Sequence, residues 1–230
     1  MTPPPQLLVS VHLPKTAGTS FADALARRHG DALYRDYQDL PMQVPRGKRE
    51  LRALCSVPRR RRIALAPDIR AVHGHVLPVA YRLATRGRET RFITWLRDPL
   101  QRVMSHYHYW RRDYDGGDTQ QPLRNRMLRE DWSLERFCLG LEMRNLYRQY
   151  LWGFDPNAFD FIGLTERYAS DVQHLLGEAN AGAEARLANP DRGDQYPIAP
   201  DLEVKMRKHH AADMRLYEWV AAGRPGRFGW

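Results

Sequence analysis

The chain has 230 residues, enough for one well-cored domain and too few for two of ordinary size. A hydrophobic fraction of 43% with six tryptophans excludes a disordered chain. The formal net charge of +9 calls for an anionic partner, whether a phosphorylated cofactor, an acidic polysaccharide, nucleic acid or a membrane surface.

The N-terminal run Leu7 to Val11, interrupted by Ser10, is far too short for a signal or membrane-spanning segment. A soluble cytoplasmic protein with no membrane partner is therefore expected, with residues 1–6 flexible. Leu7 to His12 predicts a buried strand and Thr19 to Arg28 a helix. Between them lies Pro14-Lys15-Thr16-Ala17-Gly18-Thr19-Ser20. A helix N-terminus offers unpaired N–H groups and the positive end of a dipole, so this turn suits a phosphate. Gly18 admits close backbone approach, and Thr16, Thr19 and Ser20 add hydroxyls. A triphosphate loop places its lysine after the last glycine, with a hydroxyl behind it for magnesium. Here Lys15 comes first.

The stretch from Leu33 to Arg62 reads as irregular, and Arg59 to Arg62 as a solvated surface loop or an attractor of an anionic acceptor. Ala71 to Val76 predicts a short strand carrying His73 and His75, with a helix from Pro78 to just before Gly87. Arg91 to Leu96 predicts a second buried strand, and Pro99 opens a helix to about Arg112. Helices are expected over Ser133–Leu139 and Glu142–Leu151, a strand over Phe159–Leu164 and a helix over Glu166–Glu178. The last helix, Asp201 to Ala222, carries Lys205, Arg207, Lys208, His209 and His210, with an apolar stripe at Val204, Met214 and Trp219. Residues 113–122 and 179–200 are rich in turn formers and are expected to be mobile. Cys55 and Cys138 lie far apart without metal-ligand spacing, which points to free thiols and no zinc site. Strands alternating with helices predict one α/β domain over 1–230, a central parallel sheet flanked by helices with a P-loop-like strand-loop-helix and ligands at the carboxyl ends of the strands.

The Pro14–Ser20 loop and the segment Arg97-Asp98-Pro99-Leu100-Gln101-Arg102-Val103-Met104-Ser105 together resemble the sulfotransferases that use 3′-phosphoadenosine 5′-phosphosulfate (PAPS). His73-Gly74-His75 is similar to a segment of the uronyl 2-O-sulfotransferases, the carbohydrate branch of that family. The resemblance covers roughly residues 7 to 170, with a weaker echo in Asp160 to Arg167. It implies that Lys15, Thr16, Ala17, Gly18, Thr19 and Ser20 hold the 5′-phosphosulfate, and that Arg97 and Ser105 hold the 3′-phosphate. It implies a hydroxylated acceptor, a carbohydrate or an anionic saccharide, and adenosine 3′,5′-bisphosphate (PAP) as product, with no metal and no nucleic acid partner. The animal relatives are membrane-anchored, unlike the expectation here.

Sulfuryl transfer needs an in-line acceptor hydroxyl, a base, and positive charge at the leaving oxygen. Lys15 is the candidate for the leaving oxygen. Histidine suits the base, because it is largely neutral near pH 7 yet able to take a proton. His73 and His75 are expected to face differently, one as catalyst and one as support, and the matched segment favours His75 as base. Two other functions remain open. A P-loop-like kinase would need a lysine after the glycine and a magnesium carboxylate, and a non-catalytic polyanion binder is suggested by charge alone.

Overall fold

The structure is a computed structural model and describes residues 6–39, 42–112, 121–177 and 195–230. Its strands are β1 (Leu7–Val11), β2 (Leu33–Arg35), β3 (Ala71–Gly74), β4 (Thr90–Leu96) and β5 (Phe161–Leu164). They form one all-parallel sheet in the order β2-β3-β1-β4-β5. The helices are α1 (Gly18–His29), α2 (Arg46–Cys55), α3 (Val57–Leu65), α4 (Pro78–Ala84), α5 (Pro99–Arg111), α6 (Pro122–Arg129), α7 (Leu134–Cys138), α8 (Leu146–Tyr150), α9 (Tyr168–Leu176), α10 (Pro200–His209) and α11 (Ala211–Ala221). After β1 the chain builds one side of the sheet with β2 and β3, then the other with β4 and β5. The order therefore switches between β1 and β4, where open α/β sheets bind their ligands.

Side chains two apart on a strand share a face. Leu7, Val9 and Val11 join Phe92 and Leu96 in a core with Tyr147, Tyr150, Leu216 and Val220 from α8 and α11. Ile93 and Trp95 join Phe21, Leu25, Tyr168 and Val172 from α1 and α9 in another. Helices thus cover both faces, which is why the strands read as continuous apolar runs. Each fully buried Leu, Val or Phe contributes about 1.5–3 kcal/mol of transfer free energy. Among the described residues, no helix is long and apolar enough to cross a membrane.

The stretch 33–62 is not irregular. It holds β2, α2 and most of α3, because its prolines open helices rather than break them. Pro45 is the N-cap of α2 and Pro58 lies in the first turn of α3, where no amide hydrogen is needed. The arginine run is not a solvated loop either. Arg60 is fully buried on α3, paired with Asp36 at 3.0 Å and Asp39 at 2.9 Å. Its Nη1 donates to Ser56 Oγ at 2.7 Å, and Tyr81 donates to Asp36 at 2.9 Å.

The expected final helix is two helices that meet at His210, whose buried ring contacts the Cys138 carbonyl at 2.9 Å. Val204 of the expected stripe is 70% exposed, whereas Met214 is buried. The helix expected over Glu142–Leu151 shortens to α8, because Asn145 takes a left-handed φ of 48°. Asn145 Oδ1 accepts the Ala212 and Asp213 amides (3.1 and 3.3 Å), and Asp213 accepts those of Tyr147 and Arg148 (2.9 and 3.1 Å). The N-termini of α8 and α11 cap each other. α6 has no counterpart in the sequence reading, and its Pro122 closes a segment expected to be mobile. Most of the two segments expected to be mobile, residues 113–120 and 179–194, and residues 1–5 of the expected flexible terminus, lie outside the described residues. Tyr196 is tied to α5 by two hydrogen bonds with Gln101 (2.7 and 3.1 Å) and stacks on His108 at 4.7 Å.

Candidate active site

The three segments singled out in the sequence come together at the carboxyl ends of the neighbouring strands β3, β1 and β4. The Lys15 loop follows β1, Arg97 follows β4, and His75 follows β3. The pairing Val11 with Gly74 and with Thr94 sets their relative heights.

In the loop, Lys15 and Ala17 adopt left-handed φ of 66° and 60°. Non-glycine residues held there cost about 1–3 kcal/mol each and cluster at ligand sites. Left-handed residues in such turns line anion-binding concavities with backbone N–H groups. Thr16 is buried and donates to the Leu13 carbonyl at 2.8 Å, so its hydroxyl shapes the loop. The N-cap of α1 is Ala17, which has no side-chain acceptor, and the first turn holds no acid. The loop is therefore not a self-capped turn. Lys15 Nζ sits 3.9 Å from the ring centre of Tyr109 on α5. Thr19 is exposed and Ser20 is buried.

Gly18 has a role beyond close ligand approach. A Cβ on it would fall 1.8–2.4 Å from three atoms of the His12 ring. His12 thus lies over the start of α1, and it stacks at 4.3 Å on His75 and 5.1 Å on His73. The two motif histidines do not face apart. Positions two apart share a face of a strand, and both rings pack on His12. They differ in access and in partners. His73 is 1% exposed, with Nδ1 2.9 Å from Ser10 Oγ. His75 is half-buried and its Nδ1 lies 2.6 Å from the His12 carbonyl. A carbonyl only accepts, so Nδ1 carries the hydrogen and Nε2 the free lone pair.

Burial holds all three histidines neutral. It lowers His12 well below 6.5, aided by His75, His73 and Lys15. Burial, then His75 and Arg35, brings His73 down to about 3. Burial also lowers His75, against the bond to the His12 carbonyl. The rings present their faces to one another, and among the described residues no group of His, Cys, Asp or Glu is arranged to hold a metal ion.

On β4 and α5, Tyr147 grips the Arg97 peptide. Its hydroxyl donates to the Arg97 carbonyl at 2.6 Å and accepts the Arg97 amide at 3.0 Å. Asp98 caps α5, accepting the Leu100 and Gln101 amides at 2.9 Å each. It therefore makes no ion pair with Arg97, whose half-buried guanidinium has no partner among the described residues. Ser105 is fully buried and its Oγ has no partner there either.

No family model matches the chain, and no curated protein matches it. Among solved structures it is similar to a sulfotransferase from Alicyclobacillus acidocaldarius, at 15% identity over 96% of each chain and a TM-score of 0.48. It is also similar to mouse sulfotransferase SULT7A1 complexed with PAP, at 12% identity over 91% of this chain and 65% of that one, with a TM-score of 0.38. An uncharacterized protein from Eubacterium ventriosum gives 17% identity over 76% of this chain and 99% of that one, with a TM-score of 0.37. At these scores the likeness carries no functional weight, and the site speaks through its own residues.

Sequence reasoning missed His12 and Tyr147. His12 had one available signal: it directly follows a buried strand, at the end where parallel sheets bind ligands.

Proposed function

We propose that the protein transfers a sulfo group from PAPS to a hydroxyl of a carbohydrate or anionic saccharide, with His75 as general base. One juxtaposition supports this above all: the Lys15 loop and Arg97, unpaired among the described residues, flank the switch point of the sheet, with His75 on the adjacent strand end. The orphaned Ser105 Oγ and the unpaired guanidinium fit a 3′-phosphate, and the uncapped start of α1 fits a 5′-phosphosulfate.

The bound donor supplies an activated sulfo group on a phosphate oxygen. Lys15, a compact cation on a mobile stem, meets the charge that develops on the leaving oxygen. Backbone N–H groups of the Ala17–Gly18 turn, with Thr19 and Ser20, hold the 5′ side, while Arg97 and Ser105 hold the 3′-phosphate. His75 Nε2 takes the proton of the attacking hydroxyl, and the His12 carbonyl steadies the imidazolium through Nδ1–H. His73, closed off from solvent and bound to Ser10, positions the cluster. The carbohydrate acceptor rests on the His73-Gly74-His75 resemblance and on the positive net charge.

Thermal unfolding with PAP, compared with ATP and magnesium, tests the donor. A ligand at a hundred times its Kd adds about 2.7 kcal/mol, roughly 5–11 °C for a chain of this size. Selective stabilisation by PAP is expected. Stabilisation by ATP alone would favour a kinase, and stabilisation by neither a polyanion binder. Either result defeats the proposal.

A further inference from the structure

Building on the donor reading above, we propose that Arg102 is a further ligand of the 3′-phosphate, engaging it through Nε and Nη2 beside Ser105. Arg102 is fully buried, and neither Nε nor Nη2 has a hydrogen-bond partner among the described residues. Its Nη1 comes no closer than 3.4 Å to His106 Nδ1. A buried guanidinium without an acceptor is costly, so buried charges are ordinarily paired. Arg60, also fully buried, has two carboxylates within 3.0 Å.

Arg102 has no carboxylate at ion-pair distance among the described residues. The buried acid that acts on it, Asp213, is already turned to the Tyr147 and Arg148 amides at 2.9 and 3.1 Å. Its other surroundings are Tyr147, whose ring centre lies 6.0 Å from Cζ, with Tyr150 and Cys138. His106 and His210 feel its charge, and His106 also that of Lys15 and Arg124. The balance is positive.

Ser105 follows Arg102 by three residues, so the two share a face of α5. Both are fully buried, and both present donors with no acceptor among the described residues. Arg97 precedes them, and Tyr147, which grips its peptide, also faces the Arg102 guanidinium. A side-on guanidinium fork, a hydroxyl and a second guanidinium match a tetrahedral dianion with three acceptor oxygens. Arg102 would therefore make the site prefer a nucleotide with a 3′-phosphate.

The test is calorimetric binding of PAP and of adenosine 5′-phosphate, which lacks the 3′-phosphate, to the full chain and to Arg102→Met. Met keeps the length and removes the charge. PAP binding is expected to weaken at least tenfold and adenosine 5′-phosphate binding to stay within twofold. The unliganded melting temperature should not fall, because a buried unpaired cation has been removed. PAP binding within twofold of wild type overturns the proposal, as does an equal loss for both nucleotides with a lower melting temperature. If Arg102→Met does not fold, Arg102→Lys keeps the charge and loses the fork. Reduced preference for PAP then supports the role and unchanged preference overturns it. A wild-type protein with no preference for PAP defeats the donor reading itself, and the Arg102 proposal with it.

Discussion

Replacing Arg60 with Met would preserve a long buried side chain and delete the cation that ties α3 to the segment after β2. Asp36, 0% exposed at its side chain, would keep Tyr81 at 2.9 Å and Arg59 at 3.3 Å, and Asp39, 4% exposed, would keep the Leu77 amide at 2.8 Å. Breaking a buried pair from one side costs about 3–5 kcal/mol, since it strands a charge rather than removing a pair. The melting temperature should fall by roughly 6–20 °C. Burial alone would raise the Asp36 carboxyl, but Arg60, with Arg59 and Tyr81, outweighs it and holds the group below its ordinary range. In wild type that stabilisation is fully present above the unfolded value of about 3.9 and is lost only as pH falls through the lower folded value. It does not change between pH 7 and pH 5. In Arg60→Met burial prevails, the carboxyl rises, and protonation relieves the stranded charge as pH falls. The deficit should therefore narrow from pH 7 to pH 5, while contributions from the buried histidines cancel between the two proteins. Urea unfolding of both proteins at both pH values measures it. A deficit below about 1 kcal/mol at pH 7, well short of the buried-pair cost, or one that widens at pH 5, would refute the network.

Three further outcomes concern the site. Burial lowers His75, and a base works when neutral, so turnover should level off below the ordinary histidine value of about 6.5. An acid limb at or above that value in the pH–rate profile contradicts the assignment, as does wild-type turnover by His75→Ala. Gly18→Ala drives a methyl into the His12 ring and pushes it off His75, while Ala gains up to about 1 kcal/mol of helix propensity. Turnover should drop about tenfold with the fold intact, an effect on the order of 1.4 kcal/mol in barrier height, and full activity would show that the His12 stack is irrelevant. Tyr147→Phe removes both hydrogen bonds to the Arg97 peptide, each worth about 0.5–1.5 kcal/mol. PAP affinity should fall roughly tenfold by calorimetry, and unchanged affinity would show that Arg97 needs no clamp.

Much of this was readable because it is local. The Leu7–Val11 run, the proline and lysine of the loop, and Pro99 behind Arg97 each announce a strand end or a helix start within a few residues. What escaped depends on pairing between distant segments. Arg60 looked like surface because nothing nearby in sequence says that Asp36 and Asp39 fold against it. The late start of α8 came from Asn145 and Asp213 capping each other's helices. His12 enters the site because parallel pairing sets Val11 beside Gly74, which brings the residue after β1 against the one after β3. Even the histidine spacing needed that register, since the shared face of positions 73 and 75 acquires meaning only once a third ring lies on it.

The distribution of acids explains how a positive site persists beside so many carboxylates. Asp98 is spent on the Leu100 and Gln101 amides, and Glu166 accepts the Asp98 amide at 2.8 Å. Asp160 accepts from Phe92 at 2.7 Å and Asp171 from Leu164 at 2.8 Å, both along the β4–β5 edge. Asp213 caps α8, while Asp36 and Asp39 are held by Arg60. A carboxylate committed to a peptide N–H or to a structural arginine is oriented away from other cations and gives up little of its field to them. Arg97 and Arg102 are left without carboxylate partners among the described residues, and Lys15 rests against an aromatic face. A competing internal carboxylate at either arginine would have to be displaced by each incoming phosphate, and its repulsion would oppose the ligand's charge. Fixing the acids on the backbone removes that competitor, so an anion bound as proposed would supply the stabilisation that these guanidinium groups do not receive from the described residues.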